Sequence, residues 1–223
     1  MNWANFIPGI LLSIIALMEF GLFFYFLRYE KTHSIRAYLI FIAGVIIWVG
    51  SNGISLLVGE GDVTFGQKFA YLGGTIIATS FLYFIHSFPH PLNRTIFWLR
   101  HLWWVSAIVF GYLLFFTNTF LERQILLNDG VMQTSPGAAL WVWSIFFLIV
   151  WGFGLAELIR RFRLFAGMDR IRLRYLLVGV TVSLFVGIIT DVILPLTSVQ
   201  HFAWEGPLLS VIWLWFSVRA VRV

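Results

Sequence analysis

Seven stretches of this chain are apolar over the length needed to cross a bilayer: 6–27, 37–58, 69–88, 96–116, 138–159, 176–194 and 203–218. A helix needs about 20 residues to span roughly 30 Å of hydrocarbon. Inside that hydrocarbon every backbone N–H and C=O must find its partner within the protein, so only helices or a closed barrel can cross. The runs are continuously apolar and lack the period-two alternation of barrel strands, which leaves helices. Composition agrees: 60% of the residues are hydrophobic and 11% are charged, against about 25% charged in soluble domains. The expected fold is an all-α membrane protein, a seven-transmembrane helix bundle forming one domain over residues 1–223. The seventh run is the shortest and is expected to borrow flanking residues. The first lacks a positively charged lead-in and a small-residue cleavage pattern, so it reads as a retained helix rather than a signal peptide.

The cations then orient the bundle. Connection one carries Arg28, Lys31 and Arg36, and connection three carries Arg94 and Arg100. Connection five reads as a basic loop with Arg160, Arg161, Arg163, Arg170, Arg172 and Arg174, and the tail adds Arg219 and Arg222. Connections two, four and six hold Glu60, Asp62, Glu122 and Asp129, with Lys68 and Arg123 as their cations. Positive charge resists translocation, so the N-terminus is expected outside and the C-terminus in the cytoplasm of a plasma or inner cell membrane. The six arginines are expected on anionic lipid headgroups. This accounts for the net charge of +5 without nucleic acid. Trp3, Trp141, Trp143 and Trp204 fall at outer ends and Trp98, Trp103 and Trp104 at an inner end, as aromatic belts do. Trp48, Trp151, Trp213 and Trp215 fall deeper and need packing partners or a pocket. The connection 117–137 mixes turn residues with apolar ones and is expected to form a short hairpin or a lid.

Few residues inside the spans can carry chemistry. Glu19 lies within the first run, near Ser13; a carboxylate there must be protonated or paired. Asp191 lies in the sixth run, about one turn before Pro195. Asn52, Ser51, Tyr71, Thr75, Trp204 and Glu205 are expected at a similar outer depth. Converging, they would form a mostly apolar pocket with a few polar groups, the usual character of a small-molecule site. The competing reading faces Asp191 to the headgroups and lets Asn52 bond a neighbouring backbone. His86 and His90 are four apart, but Pro89 between them ends the helix, and beyond His101 no third ligand suggests itself, so no metal site is expected. Glu157 has Arg160 and Arg161 at i+3 and i+4 and is expected to form a local ion pair. Gly73, Gly74 and Ala78, Gly50 with Gly53, and Gly152 with Gly154 suggest close helix approaches. No phosphate loop, nucleophile elbow or zinc-protease motif occurs, and no cofactor is expected. The two lysines, Lys31 and Lys68, both lie outside the seventh run, which excludes a retinal Schiff base of the rhodopsin kind. There is no cysteine.

The segments FLYFIHSFPHP, RIRLRYLLVG and DVILP, followed by EGPLLSVIWLWFSVRAVRV, resemble the N-terminal seven-helix sensory region of bacterial and archaeal membrane histidine kinases and related signalling proteins. That resemblance implies a sensor whose last helix leads into a cytoplasmic output module such as a PAS, kinase or diguanylate-cyclase domain. The chain ends at Val223, where such a module would begin, so it is expected to be either a sensory region or a short relative working through partner chains. Any catalysis would then lie beyond Val223. The expected function is a non-enzymatic receptor for a small ligand or a membrane property. Its expected partners are membrane lipids, the output domain or a partner chain, and a second copy or other membrane subunits. Two other readings stand beside it: an accessory subunit of a membrane complex, and a small transporter or proton pathway using Glu19 and Asp191. The absence of inverted repeats weakens the last.

Overall fold

The computed structural model describes residues 3–29, 32–58, 61–90, 96–127, 132–196, 199–200 and 205–222. Lys31, Arg94, Glu60 and Asp129 lie outside them. The described residues form a helical bundle: α1 (Trp3–Leu27), α2 (His33–Val58), α3 (Thr64–Ser87), α4 (Ile96–Phe116), α5 (Ala138–Leu164) and α6 (Gly167–Gly187). The last of these continues through a π-helical turn, Ile188–Ile193, into a single turn, α7 (Leu194–Leu196). The short α8 (Glu205–Leu208) and α9 (Ser210–Arg222) complete the chain. Five stretches are long and apolar enough to cross a membrane: Asn5–Leu27, His33–Val58, Thr64–Ser87, Ala138–Leu164 and Gly167–Leu196. His101–Phe116 and Gly206–Ala220 are shorter apolar helices. The chain is a multi-pass membrane protein.

Most helices outrun the apolar runs, because the i→i−4 bond ignores hydropathy. Above all, α5 and α6 run to Leu164 and from Gly167. The basic loop expected between them is therefore corrected to two intervening residues, with all six arginines on helix ends. Arginine is a good helix former, and Arg161 and Arg163 in the last turn of α5 meet the negative end of its dipole, whereas Arg170, Arg172 and Arg174 in the first turns of α6 gain nothing from it. At the other end of α6, Pro195 can supply no N–H; the Leu194 N–H reaches back to the Ile189 carbonyl and the turn widens.

The bundle is built around α3. Of its apolar core 83% is buried inside the protein, against 22% for α1. Helix α2 lies against it at backbone distance. A Cβ on Gly73 would fall 2.7 Å from the Trp48 N and 2.9 Å from the Gly44 O. Gly154 takes the Phe81 ring, and Gly53 takes Leu12 and Ser13 of α1. Gly152 has nothing within 4 Å, so the close approach expected there is absent. The hydroxyls of α3 turn onto their own helix: Thr75 donates to the Tyr71 O (3.0 Å), Thr79 to the Thr75 O (2.8 Å) and Ser87 to the Tyr83 O (2.8 Å). This satisfies polar groups that have no water to turn to.

Connections two, four and six meet in a four-stranded antiparallel sheet at the end where α3 begins, an element added to the all-α expectation. Strands β2 (Leu121–Leu126) and β3 (Met132–Pro136) form the hairpin, flanked by β1 (Gly61–Asp62) and β4 (Val199–Gln200). Gln124 pairs with Thr134 and Ile125 with Gln133, while Asp62 pairs with Ile125. Phe120, Leu121 and Leu126 are buried, and the Phe120 ring sits 5.2 Å from that of Tyr71. The hairpin thus closes one mouth of the bundle. At its base Gly137 is required, because a Cβ there would collide with the Thr119 carbonyl.

Replacing Gly73 by alanine should destabilise the bundle by about 1–3 kcal/mol through overpacking against the α2 backbone. Gly152→Ala should leave it unchanged or raise stability by up to about 1 kcal/mol. Thermal unfolding of both variants in detergent micelles checks the contrast; equal effects would contradict the packing described.

Candidate functional site

A cavity runs between α2, α3, α5, α6 and α9, beneath the sheet. Among its walls are Asn52, Gln67 and Tyr71 towards the sheet, Trp48, Trp143 and Phe147 at mid-height, and Phe41, Trp151 and Trp213 deeper. Helix α6 adds Val180, Ser183 and Gly187, and the π-turn adds Thr190. The cavity leaves about 80 Å³ for the centres of water-sized molecules, room for several waters at about 10–15 Å³ each. No charged side chain lines it among the described residues.

Its polar groups are mostly committed. Gln67 Nε2 donates to Asn52 Oδ1 (3.2 Å), and Asn52 Nδ2 donates to the Trp48 O (2.8 Å). Asn52 therefore both bonds its own backbone and faces the cavity. Trp143 Nε1 donates to Thr75 Oγ1 (2.8 Å) and its ring stacks at 4.9 Å on Phe147. It is 1% exposed. Trp143 belongs to the core, correcting its expected place in an aromatic belt, because Gly74 leaves room for its ring. Of the deeper tryptophans, Trp48, Trp151 and Trp213 line the cavity, whereas Trp215 is 61% exposed with the Arg219 guanidinium 4.9 Å above its ring.

Of the expected outer-depth set, Asn52 and Tyr71 come together in the cavity wall. Asp191 lies on the π-turn, but its side chain, that of Glu205 and the whole of Trp204 are outside the described residues. Gln67, Ser183 and Ser210 were not singled out in the sequence; nothing marks one polar residue in an apolar run as facing a cavity until the helices are assembled.

Glu19 is fully buried, and its partner is on another helix. Ser210 Oγ donates to Glu19 Oε1 (2.8 Å), tying α1 to the start of α9, while Oε2 has no partner among the described residues. Ser13 turns instead to the Gly9 O (2.8 Å). About two turns further along α9, Tyr38 Oη and Ser217 Oγ are 2.6 Å apart, joining α2 to α9.

A second polar cluster closes the opposite end. Glu157 takes Arg160 Nε and Nη2 at 2.6 Å each and Arg161 Nε at 2.8 Å, the expected local ion pair. Arg161 goes further. It is 1% exposed, and its remaining nitrogens donate to the carbonyls of His86 (2.7 Å), Phe88 (2.8 Å) and His90 (3.1 Å). The helix α3 ends at Ser87, as Pro89 requires, and leaves carbonyls with no intrahelical donor. A planar guanidinium with five donors fits that crown. Arg161 is therefore corrected from a headgroup contact to a buried plug; Arg160, Arg163, Arg170 and Arg174 are exposed and Arg172 is half-buried. His90 turns to Asp169 at 3.4 Å and His86 to the Leu82 O at 2.9 Å, so the two histidines do not share a site.

Arg161→Leu should cost about 3–5 kcal/mol, since it strands buried carbonyls and breaks a buried pair. Arg163→Gln, at an exposed position, should stay within about 0.5 kcal/mol. Thermal unfolding in lipid nanodiscs separates the two.

No curated protein matches the chain. A family model does, described as the N-terminal 7TM region of histidine kinase, and it matches residues 11–222. That span takes in every cavity-lining helix, the sheet and the arginine plug. The chain belongs to the family of N-terminal 7TM regions of histidine kinases, a sensory region and not a catalytic domain.

Proposed function

We propose that this chain is a seven-span receptor module that senses a small molecule in the cavity and passes the signal to a cytoplasmic output domain or partner. The observation that carries the reading is the cavity itself. It is walled by the helices on both sides of α3 and lies beneath a sheet made from three separate connections. A molecule bound there touches α6 and α9 together, so it can favour one mutual arrangement of those helices by its differential affinity. The π-turn at Ile188–Ile193 is a place where α6 can change register at small cost, and Asp191 on it is a candidate anchor for a ligand's donor. Trp204 and Glu205 are candidates beside it.

In this reading α4 and the α8–α9 segment also span, giving seven crossings with the sheet outside and the basic helix ends in the cytoplasm. The alternation of cations supports that orientation. The exposed Arg160, Arg163, Arg170 and Arg174 then meet anionic headgroups, at about 1 kcal/mol each near the surface. An output domain would follow α9, whose buried face carries Trp213 and Ser217.

The chain has no cysteine, so single cysteines report topology without background. Gln133→Cys on the sheet should react with a membrane-impermeant maleimide in intact cells, and Arg163→Cys only after permeabilisation. The reverse pattern would overturn the orientation. Signalling is tested by fusing a histidine-kinase catalytic region after Val223. Ser183→Phe, which fills the cavity, should shift basal autophosphorylation about fivefold or more, the scale of about 1 kcal/mol of coupling. Val182→Phe, on the outer face, should not. No shift from a folded Ser183→Phe fusion would sink the sensor reading.

A further inference from the structure

The cavity walls carry two hydrogen-bond donors with no acceptor among the described residues. Trp151 and Trp213 line it, both are more than nine-tenths buried, and the indole Nε1 of each is unpartnered among those residues. Both rings pack on Phe81, Trp151 stacked at 4.4 Å and Trp213 edge-on at 5.8 Å. The two rings therefore belong to one neighbourhood of the cavity. By contrast, the Trp143 N–H in the same wall is taken by Thr75. Buried donors are nearly always paired, so two orphans in one cavity call for an occupant with acceptor atoms.

Water is a poor occupant here. It needs two to four polar partners, and the rings in contact with those of Trp151 and Trp213 are the apolar ones of Phe41, Phe147 and Phe81. Ser210 in the lining already donates to Glu19 Oε1, and Glu19 itself is not among the described lining residues. An apolar molecule that keeps an acceptor for the indoles does better, since it displaces badly coordinated water and loses no hydrogen bond. The described walls carry no charged side chain, and an unpaired buried ion is costly, which favours a neutral occupant against these walls. At about 80 Å³ for the centres of water-sized molecules, the space limits the occupant to a small molecule.

We propose that the cavity is a binding site for a neutral, single-ring aromatic compound bearing a carbonyl-type acceptor, read by the Trp151 and Trp213 indole N–H groups. This rests on the sensory reading of the same cavity but is tested by binding alone, so its failure would leave the autophosphorylation test untouched.

The experiment uses the full chain in lipid nanodiscs with 15N-labelled tryptophan and four probes: acetophenone, toluene, benzoate and benzylamine. The Trp151 and Trp213 indole signals are assigned by their loss in Trp151→Phe and Trp213→Phe. Acetophenone should move both signals downfield and saturably, and bind at least about tenfold more tightly than toluene, the scale of one or two hydrogen bonds to buried donors. Benzoate and benzylamine should be weaker than acetophenone. Each Trp→Phe variant should lose about fivefold or more in acetophenone affinity. The ranking of the four probes needs no variant, so it decides even if a substitution fails to fold. Equal affinity for toluene and acetophenone, a preference for benzoate or benzylamine, or indole signals that do not move would each overturn the proposal.

Discussion

Hydrocarbon offers no hydrogen-bond partner, and the structure is arranged around meeting that constraint for α3. Surrounded on nearly every side, α3 can satisfy neither its side chains nor its terminal carbonyls with water. Its hydroxyls are turned onto their own backbone, and its C-terminal carbonyls are taken by Arg161. That solution requires a guanidinium inside the bundle. Glu157 keeps that charge from being stranded there. The second partner of Glu157, Arg160, stays 55% exposed, so the buried ion pair opens outward into the exposed arginines.

The two ends of α3 therefore differ in kind. At the plugged end, α3 and α5 are joined by charge-assisted bonds with fixed geometry, which resist small displacements. At the sheet end, contact is through aromatic faces, the amide pair of Gln67 with Asn52 and the bond from Trp143 to Thr75, around a cavity. Helix α9 runs past both regions, held by Ser210 to Glu19 and by Ser217 to Tyr38.

The glycines show how selectively the fold uses small residues. Gly73 and Gly44 let α2 and α3 touch through backbone, and Gly154 accepts the Phe81 ring on which both orphan indoles rest. Gly152, two residues from Gly154, faces open space. Two residues along a helix turn a side chain by more than half a circle, so one faces the core and the other the lipid.

Much of this was legible in the chain before any fold was known. Apolar runs of bilayer length decide the helices, since hydrocarbon forbids other open backbone, and the alternation of cations is a property of the sequence alone. The local ion pair at Glu157, the helix end at Pro89 and the hairpin in 117–137 were equally readable, because each depends on neighbours within a few residues. The buried plug of Arg161 was not. Its acceptors, His86, Phe88 and His90, lie some seventy residues away at and just beyond the end of α3, and nothing local separates it from Arg160 or Arg163. Glu19's choice of Ser210 over the nearby Ser13 was hidden for the same reason, as was the retreat of Trp143 from the membrane interface into the space over Gly74. Hydropathy determines which residues leave water. Which of them meet is decided by helix rotation and crossing, and those follow from close packing between segments far apart in the chain.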